Sequence, residues 1–315
     1  MSAMTPAPTP ILVVGSVALD SIETPFETRE DVLGGAAVHF SAAASLFTPV
    51  RLVAVVGQDF PLDALDILRK RNVDLEGLEI AEGPSFRWRG RYHLDMNHRD
   101  TLELQLGVFS EFRPKLPESY LDSEVVFLAN TDPDLQLQVL GQAKAARLTA
   151  CDTIDHWITE KRAAIDELFG RVDIVFLNED EARLYADTPN LQKAAATILA
   201  RGCRAVLIKK GENGALVVSR TAGGGRETFA SAAYPLEEVV DPTGAGDAFA
   251  GGVMGSLAAT RDFDLASLRR AVVTGAVLAS FNVEGFGPHG LEPVSLSDVE
   301  ERFQAVRALV AFSDR

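Results

Sequence analysis

Short, unbroken apolar runs recur along the chain at Ile11–Gly15, Leu52–Val56, Val125–Ala129, Leu148–Cys151, Ile174–Leu177 and Ala205–Ile208. A run with no polar alternation suits a strand covered on both faces. Between these runs, apolar residues recur at helical spacing over Ala36–Leu46, Leu62–Lys70, Leu135–Ala146, Ile158–Phe169 and Leu191–Arg201. Strands alternating with helices predict a three-layer α/β/α fold around a mostly parallel central sheet. The last third turns helical, with segments predicted at Ala245–Thr260, Leu265–Asn282 and Leu296–Phe312.

One stretch breaks this rhythm. From Ser85 to Val108 polar and apolar residues nearly alternate, with Phe86, Trp88, Tyr92 and Leu94, and then Leu102, Leu104 and Leu106, at alternate positions. Period two with one wet face predicts an antiparallel ribbon, turning at Asn97–Asp100. It reads as a small β lid over about 85–108, to which part of 15–33 can contribute, or else as an ordinary edge hairpin. Arg87, Arg89 and Arg91 then form a solvated face. Residues 1–10, Pro-rich and uncharged, read as a disordered tail before a single domain over 11–315.

Composition narrows the function classes. Forty-five acidic residues against 30 basic give a net charge of −15, which disfavours nucleic acid or an anionic membrane as partner. Any anionic ligand must be drawn by local groups. No apolar run approaches the roughly 18–20 residues of a membrane helix. Cys151 and Cys203 lie in apolar runs without metal-type spacing, as in a reducing, cytoplasmic setting.

The densest chemical signal is Val239-Val-Asp-Pro-Thr-Gly-Ala-Gly-Asp-Ala-Phe-Ala-Gly-Gly252. Asp241 and Asp247 bracket a glycine-rich loop that opens onto a small-residue helix. Unpaired amides and a positive dipole at a helix start make an anion site. Gly244 and Gly246 leave those amides uncovered. An acid inside an anion site suits phosphoryl transfer to an alcohol: amides stabilise the moving charge and the carboxylate takes the hydroxyl proton. A bare helix cap beside a tight turn is the plainer alternative.

The string DPTGAGDAFAGG resembles the C-terminal signature of the ribokinase-like (phosphofructokinase-B) family of small-molecule kinases, a likeness that can be followed from about Ile11 to Gly290. The resemblance implies an ATP-dependent kinase with Mg²⁺ at the phosphates, a β lid over the acceptor and, in many members, a K⁺ loop near Asp241. It makes Asp247 the base and the amides of Gly244, Ala245 and Gly246 the anion hole, with Thr243 beside the nucleotide. Asp20, after the first strand, becomes the first acceptor contact, with a capping role as its rival. Gly34 and Gly35 match the N-terminal signature. His39 stands where that signature usually has Asn, so it is either an acceptor contact or a packed bystander. Asn178 and Glu181 match the N-x-x-E pattern, supporting the metal through water, and they equally suit a helix start with favourable acids. Lys209 lies by the phosphates in a turn framed by Gly211 and Gly214, with Lys210 competing for that place. Asn282 falls by the adenine pocket, and Asp241 near the metal. The acceptor is a sugar or a nucleoside, with inositol or another polyol as an alternative, and a homodimer through the lid is compatible with the family. A non-catalytic nucleotide or sugar sensor is the rival class, but a sensor has no need of Asp247. A dinucleotide oxidoreductase fails, because Gly15-Ser-Val lacks G-x-G-x-x-G.

Overall fold

The computed structural model describes residues 9–311. Residues 1–8 of the expected tail and Phe312 of the expected last helix lie outside the described residues. Thr9 is buried, and its carbonyl accepts the Thr48 hydroxyl at 2.7 Å. The strands are β1 (Ile11–Val14), β2 (Ala18–Glu23), β3 (Thr28–Gly34), β4 (Val50–Gly57), β5 (Val73–Ala81), β6 (Arg87–Tyr92), β7 (Arg99–Gln105), β8 (Val125–Leu128), β9 (Leu148–Cys151), β10 (Ile174–Asn178), β11 (Ala205–Lys209), β12 (Ala215–Arg220) and β13 (Arg226–Ser231). The helices are α1 (Ala36–Ala44), α2 (Asp66–Arg69), α3 (Pro133–Gln142), α4 (Asp155–Glu160), α5 (Arg162–Arg171), α6 (Glu179–Ala186), α7 (Leu191–Leu199), α8 (Ala245–Thr260), α9 (Leu265–Asn282) and α10 (Leu296–Leu309).

Nine strands form one sheet in the order β13-β12-β11-β10-β9-β8-β1-β4-β5, parallel from β11 to β5, with β12 and β13 antiparallel at one edge. Each inner strand sends alternate residues to opposite layers. Ile11 and Val13 join a core with α1, α8, α9 and α10, while Leu12 and Val14 join a second with α3, α5 and α7. The small residues of α8 let it lie almost in contact with α1: a methyl on Gly251 would stand 2.4 Å from the Phe40 carbonyl. The helix expected over Ile158–Phe169 is two helices, broken at Lys161 (φ −128°, ψ 42°). Its ammonium is held there by Asp132 at 2.7 Å. Among the described residues no helix is long and apolar enough to cross a membrane.

The second sheet has the order β3-β2-β6-β7. Two antiparallel hairpins, β2–β3 and β6–β7, are joined by a parallel pairing of β2 with β6, so the small sheet is mixed rather than a single ribbon. The β6–β7 turn lies at 93–98, not at Asn97–Asp100, and Arg99 and Asp100 already belong to β7. Asp95 sets it by accepting the amides of Asn97 and His98 at 3.1 and 3.0 Å. The three arginines of β6 are ion-paired rather than merely solvated. Arg87 meets Asp31 and Asp59, and Arg89 and Arg91 share Glu23 at 2.9 and 2.8 Å. Asp59 also anchors the root of the hairpin, accepting the Ser85 amide at 2.7 Å and its hydroxyl at 2.6 Å. Strand β7 is the exposed outer edge of this sheet and carries Leu102 and Leu104.

Candidate active site

The carboxyl ends of the parallel strands meet the starts of α1 and α8 along one edge of the sheet, where α/β folds place ligands. The Asp241–Gly246 turn lies at its centre. The Pro242 carbonyl accepts the Ala245 amide at 3.2 Å, and Gly244 sits between them at φ 73°, ψ 1°. That left-handed geometry is what the third position of a type II turn needs. A methyl on Gly244 would also stand 2.2 Å from the His39 ring. Ala245 therefore gives its amide to the turn, contrary to its expected place in the anion hole. The amides of Gly244 and Gly246 find no protein acceptor among the described residues. Asp241 is 0% exposed, and its two oxygens accept the amides of Thr243 at 2.8 Å and Gly287 at 3.0 Å. It clamps the turn from below, with both oxygens engaged by backbone amides.

Asp247 stands in the first turn of α8, half-buried. A helix start favours a carboxylate, yet its carboxyl is pushed up to about 7. Burial is the main cause and the nearby Asp152 charge adds to it, against the pull of Lys209 and Arg99. Desolvation outweighs the dipole here, and the result is a carboxyl poised to exchange a proton near neutrality.

On one side of Asp247 lies a buried charge cluster. Lys209, at the end of β11, pairs with Asp152. Its Nζ lies 3.2 Å from where a methyl on Gly246 would sit, so it flanks the turn. Burial pulls the Lys209 ammonium down, but Asp152, Glu181 and Asp247 together outweigh it and keep the charge. Glu181 is buried, and burial raises its carboxyl against the opposing pull of Lys209. Asn178 and Glu181 form a capping box: Asn178 Oδ1 accepts the Glu181 amide at 2.8 Å, and Glu181 Oε2 accepts the Asn178 amide at 2.6 Å. The helix-start alternative thus describes their geometry. Lys210 instead closes the Gly-framed turn, its amide donating to the Gly214 carbonyl at 2.8 Å. Gly211 lies beneath Asn97 at the tip of the β6–β7 hairpin.

On the other side, Asp20 of β2 is buried, with its carboxyl raised to about 7 by burial and then by Asp241, while the Gly35 amide opposes. A methyl on Gly34 would stand 1.9 Å from its Oδ2, so only glycine lets β3 pass. Tyr92 of β6 hydrogen-bonds Thr243 Oγ1 at 3.1 Å, which brings the small sheet onto the central turn. His39 takes the packed alternative, and Asn282 lies beside it. They are 1% and 0% exposed, and His39 Nδ1 and Asn282 Oδ1 are 2.8 Å apart. Neither has surface for acceptor or adenine.

A family model described as pfkB family carbohydrate kinase matches residues 10–293. The chain belongs to that family. The kinase is therefore a phosphotransferase with an alcohol group as acceptor. Among its relatives, the cytidine kinase of Thermococcus kodakarensis is 34% identical over 247 residues, covering 78% of this chain and 87% of the relative. Of solved structures, the nucleoside kinase of Burkholderia thailandensis in complex with inosine aligns with a TM-score of 0.77 at 21% identity, covering 95% of this chain and 99% of that one. The ribokinase of Arabidopsis thaliana complexed with ribose and ATP also gives 0.77, at 20% identity with the same shares. Both share the fold.

Asp152 is the residue of the kinase site that sequence reasoning missed. It directly follows β9 but belongs to none of the motifs that carried the family resemblance. The cramped seat of Gly244 gives a direct expectation. Gly244→Ala lowers kcat by about 10² or more, because the turn must shift and the free amides lose their aim. A steady-state assay at saturating substrates checks this, and a variant with wild-type kcat would show that the amides are not used.

Proposed function

We propose that this protein is an ATP-dependent nucleoside kinase that phosphorylates a ribose hydroxyl. The observation that carries the proposal is the placement of Asp247, with a carboxyl raised to about 7, beside the free Gly244 and Gly246 amides. It stands between a cationic side (Lys209) and a side fit for hydroxyls (Asp20). The relatedness to a cytidine kinase favours a nucleoside over a free sugar. The aromatic lid residues do not help to choose, because each is engaged. Phe86 stacks on Phe109 with centroids 5.3 Å apart, Trp88 lies across Gly90 with Arg99 over its ring, and Tyr92 bonds Thr243.

In this mechanism Asp20 accepts hydrogen bonds from ribose hydroxyls and orients one of them toward the turn. Asp247 removes that hydroxyl's proton as its oxygen attacks the γ-phosphorus in line. The new O–P bond forms as the β,γ-bridging oxygen leaves on ADP. The Gly244 and Gly246 amides meet the charge on the transferring oxygens, and Lys209 adds a fixed cation beside them. Among the described residues no group of three acidic, His or Cys side chains could cage a metal. The donor set would suit Mg²⁺ brought in on the triphosphate, with the buried Glu181 as the nearby acid that would support it through water. There Mg²⁺ would neutralise phosphate charge.

The test is ADP release with MgATP against cytidine, other nucleosides, free ribose and inositols. Nucleosides should exceed ribose in kcat/KM by about 10² or more, since a base that fits its pocket contributes binding energy a sugar lacks. Equal turnover of ribose or inositol would sink the nucleoside assignment but leave the kinase standing.

A further inference from the structure

Beneath the phosphate-facing turn a polar relay runs through the core. The Asn282 amide nitrogen donates to the Thr243 carbonyl at 2.9 Å, which turns Asn282 Oδ1 toward His39. An amide oxygen only accepts, so His39 Nδ1 must carry the hydrogen in the 2.8 Å contact. Nε2 is then a lone pair, and it is buried without a partner. Burial holds the ring neutral, its pKa pulled down to about 4 against the small opposing effect of Asn282, so the donor stays in place at any ordinary pH. The same ring forms the floor under Gly244.

His39 sits on α1, one helical turn after Gly35, and its amide donates to the Gly35 carbonyl at 3.3 Å. The Gly35 amide lies close enough to Asp20 to pull its carboxyl down. One rigid helix therefore touches the hydroxyl-binding carboxylate at its first turn and the phosphate-facing turn four residues later.

We propose that His39 is a positioning residue which, through Asn282 and the Thr243 carbonyl, holds the Gly244 and Gly246 amides in register with Asp20, and which touches neither acceptor nor nucleotide. This rests on the kinase mechanism above. Loss of the relay frees the Thr243 carbonyl and lets the turn drift. A misplacement of even about 1 Å near the reacting atoms costs on the order of 10² in rate.

The test compares His39→Leu, His39→Asn, Asn282→Leu and the His39→Leu/Asn282→Leu double variant in the full-length protein. Leucine fills the space and lacks the donor, whereas asparagine is smaller and keeps an N–H near the position of Nδ1. His39→Leu and Asn282→Leu should each lower kcat by about 10–10² while acceptor KM stays within about twofold. The double variant should be no worse than either single one, because both break one chain. His39→Asn should recover most of the loss. In ¹H–¹⁵N spectra of the ligand-free protein, the Thr243, Gly244 and Gly246 amide signals should move in His39→Leu and return toward wild type in His39→Asn. A rise in acceptor KM with kcat kept would make His39 a substrate contact. Leucine outperforming asparagine, or multiplicative losses in the double variant, would reduce the pair to packing. If the wild type phosphorylates no nucleoside, the kinase mechanism fails separately, and the amide shifts still decide whether the relay sets the turn.

Discussion

Asp247→Asn should lower kcat by about 10²–10⁴, the span usual for removal of a general base, and leave MgATP affinity nearly unchanged. Asparagine keeps the size and the helix position but cannot take a proton. The wild type should show the base directly in its pH profile. The carboxyl must be ionised to act, and burial with Asp152 raises it to about 7. At saturating acceptor and limiting MgATP, log kcat/KM should therefore climb with unit slope up to about pH 7 and level off above it. In Asp247→Asn the climb should vanish along with the rate. A variant retaining full kcat, or one retaining the same acid limb, would remove Asp247 from the mechanism.

The second large effect combines a gain with a loss. Asp20→Asn should stabilise the ligand-free protein at neutral pH and nearly abolish acceptor use. The Asp20 carboxyl moves from 3.8 to about 7, first through burial and then through the neighbouring Asp241. Between those values the unfolded chain releases the proton while the folded one keeps it. The native contribution is thus complete below pH 3.8 and is lost as pH rises to about 7. At about 1.4 kcal/mol per unit, the ionised wild type gives up on the order of 4 kcal/mol by pH 8. Asparagine cannot ionise, so its stability advantage should grow from pH 5 to 7 and then flatten. Denaturant unfolding across that range measures it. In the same variant kcat/KM for the acceptor should fall by about 10²–10⁴, since charge-assisted hydrogen bonds to hydroxyls are lost. A pH-independent stability difference would mean that Asp20 is already compensated in the apo protein.

Much of this layout was legible in the chain, for identifiable reasons. The six strands given by unbroken apolar runs are inner members of the large sheet, covered on both faces, and α8 and α9 began and ended at the predicted residues. Strand β5 escaped because Val73-Asp-Leu-Glu-Gly-Leu-Glu-Ile-Ala alternates, as an edge strand does. Strands β12 and β13 lie at the opposite edge and pair antiparallel, so a rule built on parallel cores passes over them. In the site, Asp20 and Lys209 were named from the family resemblance, while Asp152, which directly follows β9, belongs to no such motif. The partnership of His39 with Asn282 spans 243 positions, and no local pattern announces it. That contact follows from tertiary packing alone, whereas the Ala245 amide is taken by a local turn, accepted by the Pro242 carbonyl three residues before it.

The parallel seam between β2 and β6 has a mechanical outcome. It ties the strand carrying Asp20 to the strand carrying Tyr92, so the carboxylate proposed to grip the alcohol belongs to the cover and not to the base plate. Asp247, the proposed proton acceptor, is fixed on α8. A swing of the cover would therefore carry the bound alcohol as cargo, and the distance across which bond-making occurs would be fixed by how far the cover shuts. An alcohol too small to be carried fully home would bind well and react slowly.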